Sequence, residues 1–161
     1  MIESDLKRPE NFSKSFIGKQ AEDLGNLIRE QIKPVYEMIG IIVPVKSCSI
    51  IHSLKKLTNA SLADLAKSLN QSHQLIKQKL PKLKILGLID DTDDPNDKRR
   101  TLYFLTDKGK QQAKLLEQNS MSEVYQNLSK EVNANIYEVL TQTINSLKQK
   151  NLYTRFIENK K

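Results

Sequence analysis

The sequence predicts a mainly helical chain with one small β-hairpin, and three observations carry that prediction. Apolar residues recur at spacings of three and four through most of its length. Only five Gly and five Pro interrupt 161 residues. One region, Ile89 to Leu105, breaks the rhythm with Thr, Tyr and Phe near an Asp-Pro-Asn turn, a composition that favours strands.

Composition narrows the function classes. The length suits one domain, or a small domain grown onto a further helical layer. A net charge of +7 and a pI near 9.4 suit a polyanionic partner, because Lys and Arg neutralise phosphates and release their counterions. A single cysteine, Cys48, excludes an internal disulfide framework and a thiolate zinc site, and it agrees with a reducing compartment. The opening MIESDLKRPE has no apolar signal region, and the longest apolar run, Met38 to Val45, is too short to span a bilayer. A cytoplasmic protein without a membrane partner is expected.

Taken in order, residues 1–11 are polar and aperiodic and read as a flexible lead-in. From about Phe12, the positions Ile17, Ala21, Leu24, Ile28, Ile32, Val35 and Ile39 mark one face of a helix ending near Gly40, with a bend expected at Pro34. That face is long for so small a chain, which predicts burial against a second subunit. A second helix is expected over Lys46 to Leu57, burying Ile50, Ile51 and Leu54. Ser61 with Asp64 three residues on is a capping-box start for a third helix whose inner face is Leu62, Leu65, Ala66 and Leu69. Asn70 suits a left-handed turn after it. Ser72 caps a fourth helix that buries Ile76, Leu80 and Leu83 and holds Lys77, Lys79, Lys82 and Lys84 with no acid among them.

Strands are expected over Ile89–Thr92 and Thr101–Leu105, with DDPNDKRR as the turn between them. Thr106 caps a fifth helix running to about Leu128, and Ser129 starts a last one with Ile136, Leu140, Ile144 and Leu147 as its buried stripe. Residues 151–161 read as a short helical turn or a fraying end. The fold class is therefore mainly α with a small β-wing: a winged helix-turn-helix reader over residues 46–106, and a helical dimerisation region formed by 12–40 and 107–150. The ends, 1–11 and 151–161, are flexible or peripheral.

A helix that follows a tight turn and opens with small polar residues is suited to reading a major groove. Its candidates are Ser72 as cap, His73 and Gln74 as base contacts, and Lys77, Gln78 and Lys82 as base or phosphate contacts; Gln can pair bidentately with adenine. The turn contributes Asp97, Lys98, Arg99 and Arg100, the last either a contact or a solvated neighbour. His52 reads as a core or interface histidine. With His52, His73 and Cys48 there is no zinc spacing, and no glycine-rich phosphate loop or nucleophile with a base is present, so neither cofactor nor enzyme activity is expected.

The stretch DPNDKRRTLYFLTDKG, Asp94 to Gly109, resembles the wing motif of the MarR family of bacterial transcription regulators: Asp-x-Arg, a strand, then Leu-Thr-x-x-Gly. SLADLAKSLNQSHQLIKQKLPKLKILGLI, Ser61 to Ile89, is similar to that family's two-helix reader, and the likeness extends from about Phe12 to Lys148. The resemblance implies a homodimer whose first, fifth and sixth helices interlock, with each fourth helix in a major groove of duplex DNA and each wing in the adjacent minor groove. It implies that Asp97 orients Arg99 and that Arg99 enters the minor groove, where narrowing concentrates negative potential. Two residues depart from the family pattern. Pro81 sits inside the recognition helix, and Gln78 stands where many relatives place a phosphate-binding Arg, which shifts weight to Lys77, Lys82 and the wing.

The resemblance also implies a small-molecule effector pocket where the dimer layer meets the reader. Phe16, Tyr36, Met38 and Ile51 are candidate lining residues, with ordinary core as the alternative. Some relatives sense oxidants through a thiol; Cys48 is the candidate here, but it lies in the second helix, where the best-known sensors have theirs in the first. The expected function is that of a sequence-specific regulator, most simply a repressor, on a pseudo-palindromic operator with half-sites about one helical turn apart. The rival is a winged-helix adaptor or anti-regulator whose basic face binds an acidic protein.

Overall fold

A computed structural model describes residues 14–160. The expected lead-in over 1–11 and the helix start at Phe12 lie outside the described residues. Within the described residues, eight α-helices and three strands follow in order: α1 (Ile17–Ile39), a 3-10 turn (Val45–Ser47), α2 (Cys48–Leu57), β1 (Ala60–Ser61), α3 (Leu62–Leu69), α4 (His73–Ile85), β2 (Ile89–Asp94), β3 (Asp97–Leu105), α5 (Asp107–Gln118), α6 (Ser122–Glu131), α7 (Ile136–Gln149) and α8 (Leu152–Glu158). They form two compact units, one reaching to Gln118 and one beginning at Asn119.

In the first unit the core is built where helical and strand periodicities converge. Ile50, Ile51 and Leu54 of α2, Leu65 of α3, Ile76, Leu80 and Leu83 of α4, and Leu88 and Ile89 at the hairpin base are all buried together. Each such side chain, fully buried, contributes about 1.5–3 kcal/mol relative to exposure. Helix α1 continues through Pro34 to Ile39, and Gly40, at φ 83°, turns the chain so that Ile41 N bonds the Tyr36 carbonyl at 2.9 Å. Only Ile32 of α1 is buried, while Ile17, Leu27 and Met38 stay exposed. Gln112 of α5 fastens the connector after α1: its Oε1 accepts from Ile42 N at 2.8 Å and its Nε2 donates to Gly40 O at 3.0 Å.

Several expectations change. The second helix opens as a 3-10 turn before Cys48, and its His52 is exposed, not in the core: with Ile50, Ile51 and Leu54 turned inward, position 52 falls on the outer side. Helix α2 stops at Thr58, which takes φ 67° and ψ −60° in a γ-turn closed by Asn59 N to Leu57 O at 2.8 Å. That sharp reversal delivers Ala60 and Ser61 as a two-residue strand, β1, that the sequence pattern does not reveal; it pairs with Tyr103 and Leu102. The sheet order is β1-β3-β2, and the hairpin register runs from Ile89 opposite Leu105 to Asp94 opposite Asp97.

Both hairpin strands are longer than expected, so the turn shrinks to Pro95 and Asn96. Asp94 Oδ1 accepts from Asn96 N at 2.9 Å to close it, and Lys98, Arg99 and Arg100 belong to β3.

The second unit corrects the helix boundaries. The fifth helix ends at Gln118 instead of Leu128, because Ser120 Oγ accepts from Ser122 N at 3.2 Å and diverts the backbone. Ser129 is inside α6 and does not begin the last helix; its hydroxyl accepts from Ile136 N at 3.2 Å, seven residues on. Asn135 caps α7, and Asn151 caps a well-formed α8 where a fraying end was an alternative. Arg155 Nη2 donates to Ser146 O and Nε to Lys150 O, each at 3.0 Å, tying α8 to the end of α7. No residue of these three helices is buried, and Tyr137, Val139, Leu140, Ile144 and Leu147 leave an apolar stripe exposed along α7.

Candidate nucleic-acid interface

Helix α4 divides cleanly by periodicity. Ile76, Leu80 and Leu83 are buried, and His73, Gln74, Lys77, Gln78, Pro81 and Lys82 are exposed together. Ser72 Oγ accepts from Leu75 N at 3.3 Å and fixes the start. The helix runs unbroken through Pro81 to Ile85. Proline there removes the N–H that would bond the Lys77 carbonyl, on the side facing water.

The four lysines of α4 separate by partner. Lys84 pairs with Asp91 and lies 3.9 Å from Asp90, so it anchors the helix end to β2; Lys79 bonds Gln71 Oε1 at 3.4 Å. Lys77 and Lys82 enter no salt bridge among the described residues, and they are the α4 charges presented outward.

At the hairpin, Asp97 Oδ1 accepts from both Arg99 N and Arg99 Nε at 3.1 Å, and Oδ2 receives Nη2 at 3.5 Å. The Arg99 side-chain and backbone donors hold the Asp97 carboxyl below its usual range. Arg99 is nevertheless 92% exposed, so the carboxylate steadies the guanidinium without covering it. Arg100 behaves differently: its Nη2 donates to Ser61 Oγ at 3.0 Å and Asp64 Oδ2 at 3.2 Å. Lys98 is exposed.

The hairpin and α4 are held in register by one joint. Thr106 N donates to Leu88 O at 3.1 Å, Thr106 Oγ1 donates to Gly87 O at 2.6 Å and accepts from Gly109 N at 3.0 Å, and Lys108 Nζ donates to Leu86 O at 2.9 Å. Gly87 turns the chain with φ 71°. The Leu-Thr-x-x-Gly run thus locks the first turn of α5 onto the loop that joins α4 to β2.

The candidate effector residues do not share one surface. Ile51 is fully buried in the core, Met38 is 81% exposed, Phe16 is exposed, and Tyr36 sits half-buried at the edge of the core. A cleft of about 510 Å³ lies elsewhere, lined by Leu54, Lys55, Thr58, Asn59, Phe104, Leu105 and Lys110. Cys48 meets Tyr36 Oη at 3.3 Å and donates to Pro44 O at 3.6 Å. Burial pushes its thiol pKa up, against the weaker pull of the Tyr36 hydrogen bond, so it stays protonated at neutral pH, the less reactive form.

Among the described residues no His, Cys, Asp and Glu side chains gather in a metal-binding group, and no helix is long and apolar enough to cross a membrane. The partners of Arg100 are what residue reading missed. The Ser61–Asp64 capping box was visible, but nothing local joins it to a residue 36 positions away.

The fold over α2 to β3 is a winged helix, and the family model of the winged helix DNA-binding domain matches residues 43–109. Over most of its length the chain has the fold of MarR-type structures. It is similar to a cysteine-to-serine mutant of MarR from E. coli complexed with operator DNA, with TM-score 0.63 and 23% identity over 92% of this chain and 99% of that one. It is similar to reduced AbfR bound to DNA, with TM-score 0.62 and 20% identity over 87% of this chain and 98% of that one. It is also similar to NadR in complex with 4-hydroxyphenylacetate, with TM-score 0.53 and 22% identity over 83% and 92%. No curated protein sequence matches the chain.

Proposed function

We propose that this protein is a MarR-type transcription regulator that binds a pseudo-palindromic operator as a homodimer and acts as a cytoplasmic repressor. The observation that carries the reading is Arg99: exposed at the hairpin, braced by Asp97, and part of the same unit as the outward Gln74, Lys77, Gln78 and Lys82 of α4. A helix face and a braced arginine suit a major groove and its neighbouring minor groove. Ser72, His73, Asp97 and Lys98 complete the contact set. The DNA-bound relatives of the same fold support the assignment.

Dimerisation follows from surface that a lone chain wastes. The apolar stripe of α7 and the exposed Ile17, Leu27 and Met38 of α1 suit burial against a second copy. The dimerisation region then draws on 12–40 and 107–150, and the reader on 46–106. A small-molecule effector would act by favouring one spacing of the two readers, since a ligand shifts an equilibrium only by its difference in affinity. Of the four candidates, the half-buried Tyr36 suits such a ligand better than Ile51, which is sealed in the core.

Selection of bound fragments from host genomic DNA tests the reading. A regulator enriches a small set of sites sharing an inverted repeat, whereas a protein-binding adaptor enriches none.

A further inference from the structure

We propose that Arg100 is a positioning residue of the wing and not a DNA contact: its guanidinium clamps the hairpin to the capping box of α3 and thereby sets where Arg99 is presented. The inference rests on the DNA-binding reading above and assigns a role within that site. Arg99 and Arg100 are consecutive on β3, so their side chains leave on opposite faces of the strand. Arg99 meets one carboxylate and is 92% exposed; Arg100 is 47% exposed and faces two.

One guanidinium joins three segments. Nη2 reaches Ser61 Oγ at 3.0 Å and Asp64 Oδ2 at 3.2 Å, and Nη1 lies 3.7 Å from Asp94 Oδ2. Asp94 is the last residue of β2, has only 9% of its side chain exposed, and accepts the N–H that closes the turn. Ser61 and Asp64 are the reciprocal cap of α3: Ser61 Oγ donates to Asp64 Oδ2 at 2.7 Å and accepts Asp64 N at 3.2 Å. The Ser61 contacts, followed by the Arg100 charge, hold the Asp64 carboxyl below its ordinary range.

Charge settles which arginine is available. An incoming phosphate at Arg100 would meet the carboxylates of both Asp64 and Asp94, so the single positive charge is already outweighed. The clamp has mechanical consequence as well. Ser61 belongs to β1, which contributes only a two-residue pairing to β3, and Lys84 ties the hairpin to α4 near its base, at Asp90 and Asp91. Arg100 supplies the tie nearer the tip.

The test uses the full-length protein, a duplex selected by the wild type from a random pool, and a random-sequence duplex as control, titrated across salt. Arg100→Gln should weaken the selected duplex about fivefold with no change in the salt slope, and thermal melts establish that the variant is folded. Asp64→Asn should weaken it too, although it removes a negative charge. In an Arg99→Ala background both losses should largely disappear, which a general loss of stability would not produce. The clamp is wrong if Arg100→Gln lowers the salt slope by about one, if Asp64→Asn tightens binding, or if the losses persist undiminished without Arg99. Wild-type protein that prefers no duplex would instead defeat the DNA-binding reading itself.

Discussion

Gly109 lies so close to Leu88 that a Cβ added to it would stand 1.9 Å from the Leu88 carbonyl oxygen. The first turn of α5 is pressed onto the loop leaving α4, and only hydrogen fits between them. Alanine is ordinarily the better helix residue, by about 0.8–1 kcal/mol over glycine. Here the clash is with backbone and must win. Gly109→Ala is expected to lower stability by about 1–3 kcal/mol in urea melts, and a variant as stable as the wild type would show that the joint is not tight.

The exposed stripe on α7 makes a prediction about assembly. Ile144→Asp places a charge in the middle of Leu140 and Leu147, one helical turn away on either side. Sedimentation should show wild-type dimer and variant monomer, with the reader still folded. A variant that sediments as a dimer moves the interface elsewhere.

The capping box carries a pH dependence of known sign. The folded pKa of Asp64 is depressed from its ordinary 3.8, first by the Ser61 contacts and then by Arg100. Its contribution to stability is therefore complete above that ordinary value and fades as pH falls through the lower folded value. The stability gap between wild type and Asp64→Asn should be constant near neutrality and narrow below about pH 4. A gap that persists undiminished in strong acid would mean the ionised carboxylate adds nothing.

How much of this was legible depended on how local each cause is. The outward and inward faces of α4 follow from one periodicity, and the caps at Ser61, Ser72 and Thr106 are each closed within three residues. The Asp97–Arg99 brace spans two residues and could be anticipated. β1 could not: two residues show no alternation, and their strand exists because Thr58 reverses the chain toward Tyr103 and Leu102. The breaks at Asn119–Met121 and Val132–Asn135 lie in stretches with no proline or glycine: the first is marked by the Ser120–Ser122 hydrogen bond, and the second by Asn133, which turns left-handed at φ 53°, and by Ser129 Oγ accepting from Ile136 N. Arg99 and Arg100 are the same residue type side by side. Their different surroundings come from strand alternation and from an α3 cap that only folding brings near.

Equilibrium titration of wild type and Arg99→Ala with a selected duplex and a random duplex, over a series of salt concentrations, decides whether Arg99 contacts DNA. The wild type should show steep salt dependence on both duplexes and a clear preference for the selected one, and the dimeric Arg99→Ala variant should lose about 1–3 kcal/mol of that preferred binding. Equal binding of both duplexes, or Arg99→Ala binding like wild type, would contradict the proposed function.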